Sequence, residues 1–271
     1  MGTFLKVGPN TRGRDFVVGD VHGHFSQLQR QLDSLAFDTQ ADRLFCVGDV
    51  VDRGAESEAM LAMVDQSSCF SVLGNHEAMM IAGFEDPDSA GLHLSNGGDW
   101  FYRLPEPQRQ LYAEQARAWP WAIEIDTGGG RVGLVHANVP RGSWGEVTIQ
   151  LQNMAADWQS GASLTSHAVE YAAQNLLWNR TLVLRLYREF LEVETNKQKI
   201  FAHQKASGAR EWVAEGAPDQ LAPFEIEQID GVYMGHTYVP VPIQVGRCHF
   251  LDTYRGEPGE ALSIVCINAP Q

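Results

Sequence analysis

At 271 residues, 44% hydrophobic and 20% charged, the chain can bury a full core and is too apolar for a disordered class. Its formal net charge of −14 argues against a nucleic-acid or anionic-membrane partner, whose phosphates it would repel. A bound cation can reverse that field locally, so a small phosphorylated substrate stays open. Residues 1–14, rich in Gly, Thr, Pro and Arg, read as a surface lead-in. A short strand, Phe16 to Gly19, is followed by a helix from His24 to Phe37, with Phe25, Leu28, Leu32 and Leu35 at helical spacing. Next come a strand from Arg43 to Val47, a helix from Glu56 to Asp65, a strand from Phe70 to Leu73 and a helix from Asn75 to Ala82. This β-α-β-α-β-α order implies parallel strands with right-handed crossovers and a ligand site at their carboxyl ends.

Residues 84–99 carry two turn signals, Asp86-Pro87-Asp88 and Asn96-Gly97-Gly98, and read as a loop. Trp100 to Leu104 and Pro107 to Trp119 read as helical. Trp121 to Ile125 and Arg131 to Val135 read as a hairpin joined by Gly128-Gly129-Gly130. A helical region from Glu146 to Asn179 breaks near Gly161. Residues 182–199 suggest one long amphipathic helix, and residues 203–224 suggest loops. Val232-Tyr233-Met234 and short strands near Ile243, at His249 to Leu251 and at Ala261 to Ile267 close the chain. The change from a parallel half to a hairpin-rich half suggests an α/β sandwich of two mixed sheets flanked by helices. No linker separates two domains. The cysteines Cys46, Cys69, Cys248 and Cys266 form no Cys-x-x-Cys pair and read as buried thiols. No run reaches the roughly 20 apolar residues that cross a bilayer, and no apolar leader core precedes Arg14. The expected location is the cytoplasm.

Three apolar strands end in a glycine followed by metal-type donors: Gly19-Asp20-Val21-His22-Gly23, Gly48-Asp49-Val50-Val51-Asp52-Arg53-Gly54 and Gly74-Asn75-His76-Glu77. Later strands release His136 and His236. One aspartate after a strand is usually a turn or cap residue. The joint set Asp20, His22, Asp49, Asn75, His136 and His236 is not explained that way. Its carboxylate, imidazole and amide donors, without a thiolate, suit borderline divalent metals such as manganese, iron or zinc. Six donors exceed one open catalytic site and fit two cations about 3.5–4 Å apart sharing a carboxylate. Asp49, central in strand order, is the natural bridge. His24, His93, His167, His203 and His249 belong to no motif and read as structural or surface residues.

These three motifs, with Asn179-Arg180 and Gly235-His236-Thr237, resemble the calcineurin-like metallophosphoesterases, particularly the phosphoprotein phosphatase branch. Val51-Asp52-Arg53-Gly54-Ala55-Glu56, Asn96-Gly97-Gly98-x-Trp100 and Trp178-Asn179-Arg180 are most similar to the bacteriophage lambda protein phosphatase and its bacterial relatives. The resemblance implies one metal on Asp20, His22 and Asp49 and a second on Asp49, Asn75, His136 and His236, most often manganese. A metal-bridging water would attack phosphorus directly, Arg53 and Arg180 would hold the phosphoryl oxygens, and His76, oriented by Asp52, would protonate the leaving oxygen. The interval from Arg180 to His236 is longer than the family pattern, which marks residues 181–230 as an insertion.

The implied activity is hydrolysis of phosphoserine or phosphothreonine in proteins or peptides. A dinucleoside tetraphosphate hydrolase is the near alternative, but that family usually has Ala at the Asp52 position and Pro soon after the Arg-Gly. A non-catalytic metal-binding scaffold would have lost a ligand, His76 or an arginine, and none is lost. No basic tract supports a nucleic-acid phosphodiesterase.

Overall fold

The computed structural model describes residues 2–64, 67–161, 166–207, 210–257 and 260–268. Two mixed sheets pack face to face, in the strand orders β1-β5-β6-β8-β10-β9-β7 and β11-β2-β3-β4. The strands are β1 (Phe4–Val7), β2 (Asp15–Val18), β3 (Arg43–Cys46), β4 (Cys69–Ser71), β5 (Ala122–Asp126), β6 (Arg131–Val135), β7 (Trp212–Val213), β8 (Gly231–Met234), β9 (Ile243–Val245), β10 (Cys248–Phe250) and β11 (Ile264–Cys266). The helices are α1 (Phe25–Ser34), α2 (Ser57–Val64), α3 (Asn75–Glu85), α4 (Ala90–Ser95), α5 (Asp99–Tyr102), α6 (Glu106–Arg117), α7 (Trp144–Gln159), α8 (His167–Ala173), α9 (Thr181–Leu186), α10 (Glu194–Ser207) and α11 (Pro218–Leu221).

The smaller sheet is apolar on both faces because each face is covered, which explains its unbroken runs of Val, Phe and Leu. Val17, Phe45, Val47 and Val72 pack inward against Ile123, Ile125, Leu134, Tyr233 and Leu251 of the larger sheet. Phe16, Val18, Leu44 and Cys46 point the other way, onto Leu28 and Leu32 of α1 and Met60 and Leu61 of α2. β2, β3 and β4 run parallel, with Val18 opposite Cys46 and Cys46 opposite Ser71. Their carboxyl ends, and the three motifs that follow, therefore reach one edge. β6 and β8 are also parallel, with Leu134 opposite Tyr233, so His136 and His236 emerge together. β5 and β6 form the expected antiparallel hairpin.

Several expectations need correction. The lead-in contains β1, which pairs parallel with β5 through Phe4–Ala122 to Val7–Ile125 and forms an edge of the larger sheet. Its apolar residues were masked by the Gly and Pro around them. Residues 84–99 are not a plain loop: α3 runs on to Glu85, a 3₁₀ turn covers Pro87–Ser89, and α4 precedes the Asn96-Gly97-Gly98 turn. The helix foreseen over 182–199 is divided. α9 runs into a wide π turn, Tyr187–Leu191, and α10 starts afresh at Glu194. α10 extends into the stretch read as loops, where β7 and α11 also form. Asp65, the foreseen end of α2, and residues 162–165 beside the Gly161 break lie outside the described residues.

From the 181–230 segment, Leu182, Val183, Leu186, Phe190, Leu191, Ile200, Ala214 and Phe224 bury into the main core cluster. Cys46, Cys69 and Cys248 are buried free thiols and Cys266 is half-buried. Among the described residues no helix is long and apolar enough to cross a membrane.

Candidate active site

Backbone geometry marks the site. His22, Asp49, Asp52, Arg53 and His236 all have positive φ, between 46° and 73°. Each such non-glycine residue costs about 1–3 kcal/mol and persists only where its surroundings hold it. Gly74 and Gly235 make the close approach possible: a Cβ at Gly74 would overlap the Asp49 carboxylate, and one at Gly235 would overlap that of Asp20.

Glu77 is the main restraint on the Asp49 turn. Its carboxylate accepts the backbone N–H groups of Asp49 (3.0 Å), Val50 (2.8 Å), Val51 (3.2 Å) and Gly74 (2.9 Å). Burial and the facing Asp49 charge push the Glu77 carboxyl up to about 7, and the N–H donors oppose that rise. The sequence placed Glu77 in a motif but gave it no task.

All six candidate donors converge and, apart from half-buried His236, are buried. The Asp49 carboxylate lies 3.8 Å from His22 Nε2, 3.8 Å from His76 Nε2 and 3.4 Å from His136 Nε2. Asn75 Oδ1 is 2.8 Å from both His136 Nε2 and His236 Nδ1. Asp20 Oδ2 is 3.9 Å from His22 Nε2, and the Asp20 carboxylate accepts the His236 N–H. Two groups of donor atoms each fit within 4.8 Å: His22, Asp49 and His76, and Asp49, His136 and His236. Asp49 is common to both.

The surroundings prepare these atoms for a metal. His22 Nδ1 faces the Val51 carbonyl at 3.1 Å and His136 Nδ1 the Val47 carbonyl at 2.8 Å. Each carbonyl accepts the Nδ1–H and so turns Nε2 inward, the orientation that metal-ligating histidines have. Charge balance points the same way. Burial, then the neighbouring carboxylates, pushes Asp20 up, and burial with Asp49 pushes Asp252 up to about 7. Burial opposes the charge on Asp49, but His136, His76 and His22 hold it well below the usual carboxylate range. Burial would lower His136, yet Asp49 raises it to about 10. His22 and His236 are driven down to about 3, mainly by burial. Mutually repelling buried carboxylates and inward lone pairs are a donor set that divalent cations satisfy, with metal and proton competing for the imidazoles.

His76 differs from the other histidines. Its Nδ1 is 2.7 Å from Asp52 Oδ2, and its Nε2 is 3.3 Å from Arg53 Nη2. Burial works against its charge, but Asp49 and Asp52 raise it above the ordinary imidazole value. Asp52 also receives Trp100 Nε1 at 2.7 Å and His93 Nε2 at 3.0 Å. His93, read as structural or surface, is fully buried, with its ring against a motif carboxylate. No motif contains it, and the segment was read as a loop. Asp252 follows β10 and begins no motif, so nothing in the sequence pattern singles it out. Arg53 and Arg180 are exposed, at the mouth of the buried donors, and the Arg180 charge reaches His236.

A sandwich of this topology with paired metal-donor groups at its strand ends defines a metallophosphoesterase. The calcineurin-like phosphoesterase family profile matches residues 16–240, and the chain belongs to that family. Serine/threonine-protein phosphatase 2 of Escherichia coli (strain K12) is 38% identical over 140 residues, which is 51% of this chain and 64% of that protein. A symmetrical bis(5'-nucleosyl)-tetraphosphatase of Dechloromonas aromatica (strain RCB) is 40% identical over 68 residues, 24% of this chain and 25% of that protein. The match thus spans less than two thirds of either relative. The cold-active protein-tyrosine phosphatase of a psychrophilic Shewanella shares the fold at a TM-score of 0.58 and 14% identity, over 99% of this chain and 78% of that one.

Proposed function

We propose that the chain is a two-metal phosphatase that hydrolyses phosphomonoesters of serine and threonine in proteins or peptides. The observation that carries this reading is the Asp49 carboxylate, which faces His22 Nε2 at 3.8 Å on one side and His136 Nε2 at 3.4 Å on the other, beside a His76–Asp52 pair and two exposed arginines. Two divalent cations, manganese first and iron or zinc by the same donor chemistry, would supply Lewis-acid activation of water. Asp20, His22 and Asp49 would hold one; Asp49, Asn75, His136 and His236 would hold the other. The Arg53 and Arg180 guanidinium forks would bind and orient the phosphoryl oxygens. His76, with Nδ1 fixed on Asp52, would deliver a proton from Nε2 to the leaving oxygen.

We read the chain as one domain with an insertion at 181–230, supported by the apolar residues that segment buries in the common core. The substrate class is supported by Asp52, whose carboxylate is fully engaged by His76, His93 and Trp100. The dinucleoside tetraphosphate alternative is tested directly. Manganese-loaded protein is assayed on a phosphoserine/phosphothreonine peptide and on diadenosine tetraphosphate. Phosphate release from the peptide alone supports the proposal; cleavage of the dinucleotide alone replaces it with the alternative. Two bound metals with neither substrate turned over would favour a non-catalytic scaffold.

A further inference from the structure

Orienting one imidazole needs one acceptor atom, yet the Asp52 carboxylate collects donors from three side chains. His76 Nδ1 lies on Oδ2 at 2.7 Å and Trp100 Nε1 on Oδ1 at 2.7 Å. His93 Nε2 sits astride both oxygens, at 3.0 and 3.1 Å. With Nε2 donating to the carboxylate, His93 Nδ1 is left to accept the Tyr102 hydroxyl at 3.1 Å. The chain Tyr102–His93–Asp52–His76 therefore runs from α5 through α4 to the site.

The seat for His93 is built from the Asn96-Gly97-Gly98 turn. The His93 carbonyl accepts the N–H groups of Asn96 and Gly98 at 3.1 and 3.0 Å. A Cβ on Gly98 would overlap the His93 ring, so only glycine leaves that ring its place. Gly97, at φ +96°, accepts the Arg53 N–H through its carbonyl and would strike the Arg53 backbone if it bore a Cβ. One turn thus supports both His93 and the backbone next to Asp52. Asp52 itself has φ +73°, so its own backbone conformation is costly and its carboxylate direction must be held from outside.

We propose that His93 is a positioning residue for phosphoester hydrolysis: it clamps the Asp52 carboxylate so that His76 stays aimed at the leaving oxygen. The inference rests on the reading of His76 as the proton donor. It goes beyond that reading by adding a third side chain from outside the strand-end motifs. The clamp matters only where the leaving oxygen needs a proton, as an alkoxide does and a nitrophenolate does not.

The test compares turnover of a phosphoserine peptide and p-nitrophenyl phosphate by manganese-loaded protein. His93→Leu should lower kcat on the peptide about 10–100-fold, the usual effect of losing a supporting hydrogen bond, and lower it on p-nitrophenyl phosphate by about threefold or less. His93→Gln, whose amide can place an N–H near the lost Nε2, should recover most of the peptide activity. In an Asp52→Asn background, His93→Leu should add no further loss. Equal losses on both substrates, or losses that multiply with Asp52→Asn, would overturn the clamp. His76→Asn separates the two claims. If it loses selectively on the peptide while His93→Leu does not, the clamp fails and the proton donor stands. If His76→Asn loses equally on both substrates, the proton donor fails and takes the clamp with it. Should His93→Leu fail to fold, His93→Asn, whose shorter amide falls short of Asp52, takes its place under the same criteria.

Discussion

From Gly19 to Glu77 the backbone takes positive φ at four site residues, His22, Asp49, Asp52 and Arg53; among the described residues of 181–230, Gln228 alone of the non-glycines does so. The two regions are stabilised differently. The first is tied by backbone N–H groups to buried acids, four of them to Glu77. The second is tied by apolar side chains such as Leu186, Phe190 and Phe224, all buried. Directional bonds fix the position of each donor atom and tolerate little error. Burial is non-directional and tolerates π turns, breaks and added length. The contrast separates the region proposed to perform the chemistry from one that supports its frame, and four substitutions probe it.

The largest effect falls on the shared carboxylate. Asp49→Asn should lower phosphatase kcat by more than about 100-fold, since loss of a group merely supporting a metal ligand already costs about 10–100-fold. Metal content measured on the same preparation should fall with it. Full activity would show that the paired donor groups are not the reaction centre. Next, Phe190→Ala in the insertion should cost about 3–5 kcal/mol in denaturant unfolding, as a buried aromatic does. Its kcat, measured below the unfolding transition, should stay within about threefold of the parent. A large catalytic loss without unfolding would mean that the insertion takes part in the chemistry. Glu77→Gln lies between the two regions in kind. It replaces one acceptor oxygen by an amide and strands part of the Asp49 turn, at about 1–3 kcal/mol for each N–H left unpaired. Stability and metal affinity should both fall; a stability loss with unchanged affinity would detach Glu77 from the site.

The smallest effect serves as a control away from the site residues and from the insertion. Asp42 takes a bidentate hold of Arg14, at 2.6 Å to Nη2 and 3.4 Å to Nε. Burial would raise its carboxyl, but Arg14 holds it below the ordinary value. A depressed folded pKa stabilises above the unfolded pKa of about 3.9 and loses that contribution as pH falls through the folded value. The gap in unfolding midpoint between the parent and Asp42→Asn should therefore be open at pH 7 and narrow below about pH 4. A gap that widens in acid would contradict the pairing.

How much of this was legible in the sequence follows the same division. The donors after β2, β3 and β4 could be read because strand ends, glycines and polar types coincide within eight residues or fewer. Parallel pairing then brings them together without further information. His136 and His236 could be read for the same reason. His93 could not. It stands alone on a six-residue helix between turn signals, and its partner Asp52 is 41 positions earlier. The one available hint was the pair of glycines after it, whose purpose appears only when the ring is in place. β1 was hidden by its flanking residues, because a strand at a sheet edge is fixed by its neighbour, not by its own composition. In the insertion, apolar spacing indicated helix correctly but could not show that a π turn would split it.

The central claim is that Asp49 joins two cations, and electron paramagnetic resonance of the manganese-loaded chain tests it most directly. The account predicts two manganese ions per chain with the spectrum of an exchange-coupled pair, and loss of that coupling in Asp49→Asn. A single ion per chain, or two ions with uncoupled spectra in the parent protein, would contradict it.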